Sequence, residues 1–186
     1  MEKRSIENLY GLVLAYWNDL NKKSKKMSLR IFNPSIKKDG WESEHTVIEL
    51  IQADMPFLVD TIMMTLNRLD LNIHFVIHTG KIRVIRSGGE VKDILSFDEP
   101  VNKEETAESL VYVEIDRQID SSDALKKIEK SLRSSMEDVS LVVEDFIPMK
   151  HKLKDIVGYI EKVKSYSKLP QKFSESVSFL NWLLEE

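Results

Sequence analysis

HTVIELIQADMPFLVDTIMMTLNRLDLNIHFVI, residues 45–77, decides the fold. It reads as strand, tight turn, helix and strand, in little more than the minimum length for such a unit. In His45–Ala53, Val47, Glu49 and Ile51 alternate with Ile48, Leu50 and Gln52, the period of a strand. Asp54 is placed to cap the following helix, its carboxylate accepting from the free N–H groups of the first turn. Pro56 then falls inside that first turn, where its missing N–H is no loss. Leu58, Ile62, Leu66 and Leu69 recur at helical spacing, and Val59 and Met63 widen the stripe. Asp70 stands where a left-handed residue should stop the helix, a conformation that Asp tolerates better than most residues. Asn72–Ile77 returns as a strand with Ile73, Phe75 and Ile77 on one face.

Upstream, Ile6, Leu9, Tyr10, Val13, Trp17 and Leu20 share one helical face, so residues 4 to 21 are expected to form an amphipathic helix that buries it. The cluster Lys22, Lys23, Lys25 and Lys26 reads as a solvated helix end that suits the dipole. Ser28–Phe32 is a short strand ended by Asn33-Pro34. A turn-rich loop through Asp39-Gly40 leads to Trp41, which is expected to pack against the sheet.

Downstream, the chain bends at Thr79-Gly80 and continues as a hairpin, IRVIR and VKDIL, around Gly88-Gly89, which supply the positive φ its turn demands. Ser96–Ala107 is an acidic loop, expected to be solvated. Its spacing matches no calcium loop. Leu110–Ile115 is a strand. Ser121 or Ser122 caps a helix whose Leu125, Ile128, Leu132, Val139, Val142 and Phe146 keep near-heptad spacing. That register argues against Val139–Val143 as an edge strand, so Ser28–Phe32 takes the edge beside His45–Ala53. A kink or break at Pro148, a second helix from Lys150 to Tyr166, a linker at Lys168–Gln171 and a last helix at Ser174–Leu184 complete the chain.

The composition bounds the function. A chain of 186 residues that is 42% hydrophobic can bury a core. A net charge of −4 and a pI near 5.7 argue against nucleic-acid binding, which usually needs a basic face. The absence of cysteine excludes disulfides, thiol catalysis and cysteine-based zinc sites. No run reaches membrane-spanning length and MEKRSIENLY lacks a signal-peptide core, so a cytoplasmic protein without membrane contact is expected.

DMPFLVDTIMMTLNR followed by LNIHFVIH, then ESLVYVEIDRQ at Glu108–Gln118 and FLNWLLEE at Phe179–Glu186, resemble in order the first ACT-type domain region of the large bacterial NAD-dependent glutamate dehydrogenases. The resemblance implies an α+β fold. It is an ACT, ferredoxin-like antiparallel sheet of four strands with helices on one face and helical extensions at both ends. The expected order is Ser28–Phe32, His45–Ala53, Leu110–Asp116, then Asn72–Ile77 with its hairpin. The expected domains are an N-terminal helix at 1–27, an ACT-like domain at 28–147 and a helical extension at 148–186. FLNWLLEE stops in mid-motif for the family, so the chain is expected to be a piece of a longer enzyme.

No catalytic constellation is present: there is no GxGxxG after a strand, no P-loop and no GxSxG. Ser87-Gly88-Gly89 lies between two strands, so no helix N-terminus is there to hold a pyrophosphate. The resemblance implies that NAD binds elsewhere in the parent enzyme and that this piece carries no cofactor. His74 and His78 would share a face in a straight strand, but a pair is an incomplete metal set, and His45 and His151 have no fixed relation to them. They read as structural or interface histidines, and no metal is expected. Arg83, Arg86 and Arg117 read as surface or interface partners for acids rather than an anion clamp.

The candidate ligand site is the turn Asp54, Met55, Pro56, Phe57 and Leu58. A helix N-terminus suits a small carboxylate, and amino-acid-binding ACT domains use this turn. They usually carry glycine after the proline. Here Phe57 takes that place, its ring is expected to fill the site, and a well-capped core helix without ligand is the favoured reading. The function expected is a non-catalytic regulatory or assembly module. Its partners are the remaining domains of the enzyme, a homo-oligomer and a small amino-acid ligand. The competing class is a free-standing amino-acid sensor.

Overall fold

A computed structural model describes residues 5–21, 27–100, 102–120, 122–164 and 171–185. The lysine cluster at 22–26, the cap position Ser121 and the linker at 168–170 lie outside the described residues. The elements are α1 (Ile6–Asn21), β1 (Met27–Phe32), α2 (Ile36–Asp39), β2 (Thr46–Ala53), α3 (Leu58–Arg68), β3 (Ile73–Ser87), β4 (Glu90–Leu95), β5 (Glu105–Ile115), α4 (Ser122–Lys164) and α5 (Gln171–Glu185). The chain divides into two compact units, Met1–Val139 and Ser140–Glu186.

The first unit holds an antiparallel sheet in the order β1-β2-β5-β3-β4. This is the order expected, with five strands instead of four because the hairpin strand β4 joins the same sheet. β1 takes the edge beside β2, pairing Met27 with Gln52 through Phe32 with Val47. Residues 139–143 are helical, as the register required.

One face of the sheet carries Ile48, Leu50, Val111, Val113 and Ile115 against Leu58, Ile62 and Leu66 of α3 and Ile128, Leu132 and Met136 of α4. The periodicity of α3 thus maps onto the core. Its end follows the Schellman pattern: Leu71 N–H bonds Leu66 O, Asp70 N–H bonds Asn67 O, and Asp70 adopts φ 55°. The α4 stripe reaches the sheet only from Ile128 to Val139. Val142 and Phe146, expected in the same stripe, are 61% and 54% exposed.

The other face is covered by α1 and Trp41. Leu12, Trp41, Val47 and Tyr112 form one cluster there, and Leu20, Ile51 and Leu110 a second. The N-terminal helix is therefore a second layer, and β2 is buried along nearly its whole length. Of the face expected to be buried, Leu20 alone among its six residues is in the core. Ile6, Tyr10, Val13 and Trp17 are exposed, while Leu12, Ala15, Tyr16 and Leu20 face inward. The cause is Gly11. A Cβ there would stand 2.7 Å from Trp41 Cβ, so the bare backbone is what lets α1 seat closely on the tryptophan.

Three elements depart from expectation in extent. β3 is one strand of 15 residues, because the bend at Thr79-Gly80 is absorbed as a bulge between His78 and Lys81, with Gly80 at φ 67°. β5 begins at Glu105, not Leu110, and the acidic loop is correspondingly shorter. α4 runs through Pro148 unbroken over 43 residues. The proline lies on an exposed stretch, where water can meet the carbonyl groups its ring leaves unpaired. In the second unit, Val157 and Val177 are the buried apolar side chains described, and Asn181 Nδ2 donates to Glu161 at 3.5 Å.

Candidate functional site

The Asp54–Leu58 turn joins β2 to α3 at the end of the sheet where Ala53 pairs with Glu108. Asp54 does not cap the helix. Its N–H donates to Ala107 O at 2.9 Å and its Oδ1 accepts from the Ser109 hydroxyl at 2.5 Å, so it prolongs the β2–β5 contact instead. Pro56 consequently lies in the turn ahead of the helix. α3 begins at Leu58 behind Phe57, which adopts φ 65°, ψ 10° and supplies no side-chain cap. The first helical bond is Thr61 N–H to Phe57 O, 2.9 Å. Met55 packs on the core and Leu58 is inside it. The Phe57 side chain is 62% exposed, so its ring stands in solvent rather than filling a site. A non-glycine residue held left-handed costs on the order of 1–2 kcal/mol. That strain marks why glycine suits this position. The N–H groups of Leu58, Val59 and Asp60 open the helix, and the Asp60 carboxylate lies at the positive end of its dipole.

A second group of polar residues lies at the opposite end of β2. Thr46 and Ile73 both pair with Ile115, because β2 and β3 flank β5. This topology brings His45 and His74 together, a relation that strand spacing alone could not reveal. Their ring centroids are 4.3 Å apart. His45 Nδ1 lies 3.4 Å from Glu114 Oε2, and His74 Nε2 lies 2.6 Å from Asp116 Oδ1. Contact with His74 and donation from the Asn72 amide hold the Asp116 carboxyl below the usual range. A bulge between Ile73 and Phe75 flips the strand's phase, so His74 meets His45 while His78 stands opposite Val111. The two β3 histidines therefore make no shared site. Among the described residues no group of three or more His, Cys, Asp or Glu side chains could hold a metal ion. Beside His45 an open cleft of about 850 Å³ is lined by Trp41, Glu42 and Arg117 among others, with Arg117 donating to Ser43 O at 2.8 Å.

Beside α1 lies a partly buried charge cluster that the sequence reading missed. The Arg30 guanidinium faces Asp39 at 2.5 Å, Glu49 at 3.5 Å and Asp19 at 3.6 Å. Glu49 is 3% exposed, and among the described residues neither of its oxygens has a hydrogen-bond partner; nor does the Tyr16 hydroxyl. Burial pushes the Glu49 carboxyl up to about 8 against the pull of Arg30, with Asp19 and Asp39 adding to the rise. Burial and the neighbouring Glu49 also raise Tyr16 well above the ordinary phenol value. A glutamate between Val47 and Ile51, in phase with an apolar strand face, was the signal available.

Arg83 and Arg86 pair with acids of their own chain, and their enclosed side chains correct the surface reading of these two arginines. Arg83, 6% exposed, makes five hydrogen bonds: two to the Glu105 carboxylate and one each to the carbonyl groups of Ser96, Glu99 and Pro100. All five guanidinium donors are thereby used. Arg83 in turn holds the Glu105 carboxyl below its ordinary value. Arg86 grips Glu108 through two bonds of 2.8 Å and the turn carbonyl of Gly89 at 2.7 Å. Glu105 and Glu108 are thus strand residues with partners, and the solvated reading of the loop is corrected at Glu105.

Comparison with known proteins agrees with this architecture. Residues 1–132 match the family model of the glutamate dehydrogenase ACT1 domain. The chain is 36% identical over 188 aligned residues to the NAD-specific glutamate dehydrogenase of Pseudomonas aeruginosa, covering 100% of this chain and 11% of that protein. It is 31% identical over 184 residues to the NAD-specific glutamate dehydrogenase of Halomonas elongata, covering 98% of this chain and again 11% of the relative. The chain therefore spans about a tenth of the length of these relatives. No solved structure matches it. With the sheet order, the β2–turn–α3–β3 unit and the family model in agreement, the chain belongs to the ACT1 domain family of glutamate dehydrogenases.

Proposed function

We propose that this chain serves as a non-catalytic regulatory and assembly module of a large NAD-dependent glutamate dehydrogenase. The observation that carries the reading is the alignment itself. The whole chain corresponds to 11% of the length of an NAD-specific glutamate dehydrogenase, and its sheet unit to an ACT1 domain. In that enzyme glutamate is oxidatively deaminated to 2-oxoglutarate and ammonia as NAD is reduced, with NAD bound in other domains. The partners of the module are those remaining domains, and the protein works in the cytoplasm. No helix among the described residues is long and apolar enough to cross a membrane.

Two assays test the reading. The 186-residue chain, mixed with glutamate and NAD, should produce no reduced NAD. Removing the same residues from the longer enzyme should change assembly or effector response and leave the chemical step. Loss of that step in a correctly assembled remainder overturns the proposal.

A second reading rests on the start of α3. An uncapped helix end behind a left-handed residue offers backbone N–H groups to a small carboxylate, so the module would sense an amino acid. Saturable thermal stabilisation by one amino acid, with none by 2-oxoglutarate or NAD, supports it, because a ligand of the folded state raises the melting point. A flat screen removes it.

A further inference from the structure

From the outward face of α1 we infer that this chain pairs with a second copy of itself, helix α1 against helix α1. The observation is an inverted amphipathic helix. Ile6, Tyr10, Val13 and Trp17 step by four, three and four residues, the spacing of a heptad seam, and Leu9 and Leu14 flank it. All six are exposed, from 44% for Leu14 to 81% for Ile6. The opposite side of the helix is the one committed to the sheet, where Leu12 and Tyr16 pack and Gly11 meets Trp41. Rotating α1 to hide the seam would break that close approach, so the stripe is covered from outside.

The seam spacing selects another helix as the occupant. A stripe free of charge along its centre is its own complement, which is what an isologous two-fold contact requires. The area also fits. At about 200 Å² for a large apolar side chain, the six exposed fractions offer roughly 700 Å² per copy, close to the ~800 Å² per partner of a standard interface. An adjoining recess of about 500 Å³, lined by Ile6, Tyr10, Gly11, Leu14, Asp39 and Gly40, gives a partner side chain a place to seat. The pairing concerns α1 alone and stands whether or not the module regulates an enzyme.

The test is sedimentation equilibrium of the 186-residue chain over a concentration series reaching the micromolar range, where interfaces of this size already associate. The mass should rise from 21.6 kDa to twice that value. Val13→Asp should abolish the rise. Met64→Asp, an equally charged change at a 68% exposed site on α3, should leave it intact. Circular dichroism checks that the variants are folded, and Tyr10→Lys serves if Val13→Asp is not. A chain that stays monomeric throughout, or a dimer that survives both seam variants, overturns the inference. So does a stripe protected only when the remaining domains of a longer enzyme are present.

Discussion

Replacing Glu49 by Gln should stabilise the protein near neutral pH and flatten its pH–stability curve. Glu49 is enclosed between β2 and α1, with a carboxyl raised to about 8 from an ordinary value of 4.5. The folded state therefore binds the proton more tightly than the unfolded chain. Its contribution is complete below pH 4.5 and falls as pH rises to about 8, because the unfolded carboxylate ionises first. Each unit of that window is worth about 1.4 kcal/mol. By pH 7, about 2.5 units above the ordinary value, the wild-type chain has lost roughly 3 kcal/mol on this account, and roughly 4 kcal/mol by pH 8. Glutamine has nearly the shape of the protonated acid and ionises in neither state. Urea unfolding at pH steps from 5 to 9, followed by far-UV circular dichroism, should show the variant gaining on wild type by about 1.4 kcal/mol per unit, levelling off near pH 8. Parallel curves for the two proteins across that window would refute the reasoning, and so would a Gln variant that loses stability at pH 8.

Phe57→Gly should raise stability by about 0.5–1 kcal/mol, since relief of left-handed strain outweighs the entropy glycine adds to the unfolded chain, whereas Phe57→Ala keeps the Cβ and should gain little. Equal effects in a denaturant melt would remove the strain argument. Gly11→Ala should destabilise by about 1–2 kcal/mol despite better helix propensity, because its Cβ would press on Trp41; a stabilised variant would mean that α1 is not seated as described. Arg83→Leu should open the 96–105 segment to limited proteolysis while the β3–β5 pairing persists, and unchanged cleavage would show that its five hydrogen bonds do not hold the loop.

What was legible from sequence is what local chemistry decides. The α3 stripe and its stop at Asp70 follow from periodicity and turn chemistry, the edge position of β1 from the exclusion of residues 139–143 as a strand, and the sheet order from what the family resemblance implied. What was not legible depends on partners distant in the chain. Asp54 looked like a cap until Ser109, 55 residues away, proved to hold its carboxylate. Glu105 looked like loop until Arg83 was found opposite it, 22 residues away. Hydrophobicity pointed to the wrong face of α1, because a glycine and a tryptophan, not the most apolar stripe, decide which side touches the sheet. At the candidate turn, Phe57 was expected to fill a site with its ring, where it has a left-handed backbone and an exposed ring.

The place of β5 has a kinetic consequence. β1 with β2, and β3 with β4, are ribbons between chain neighbours, yet the two ribbons touch only through β5, which lies between β2 and β3. During synthesis from the N-terminus, neither ribbon has its central neighbour until residue 115 has emerged, and both wait with one edge open. The sheet therefore closes in a single late step that zips two long pairings at once, after a wide loop has been brought together. Pulse-labelling hydrogen exchange should find the amides of β2, β3 and β5 gaining protection together, later than those of the β3–β4 turn.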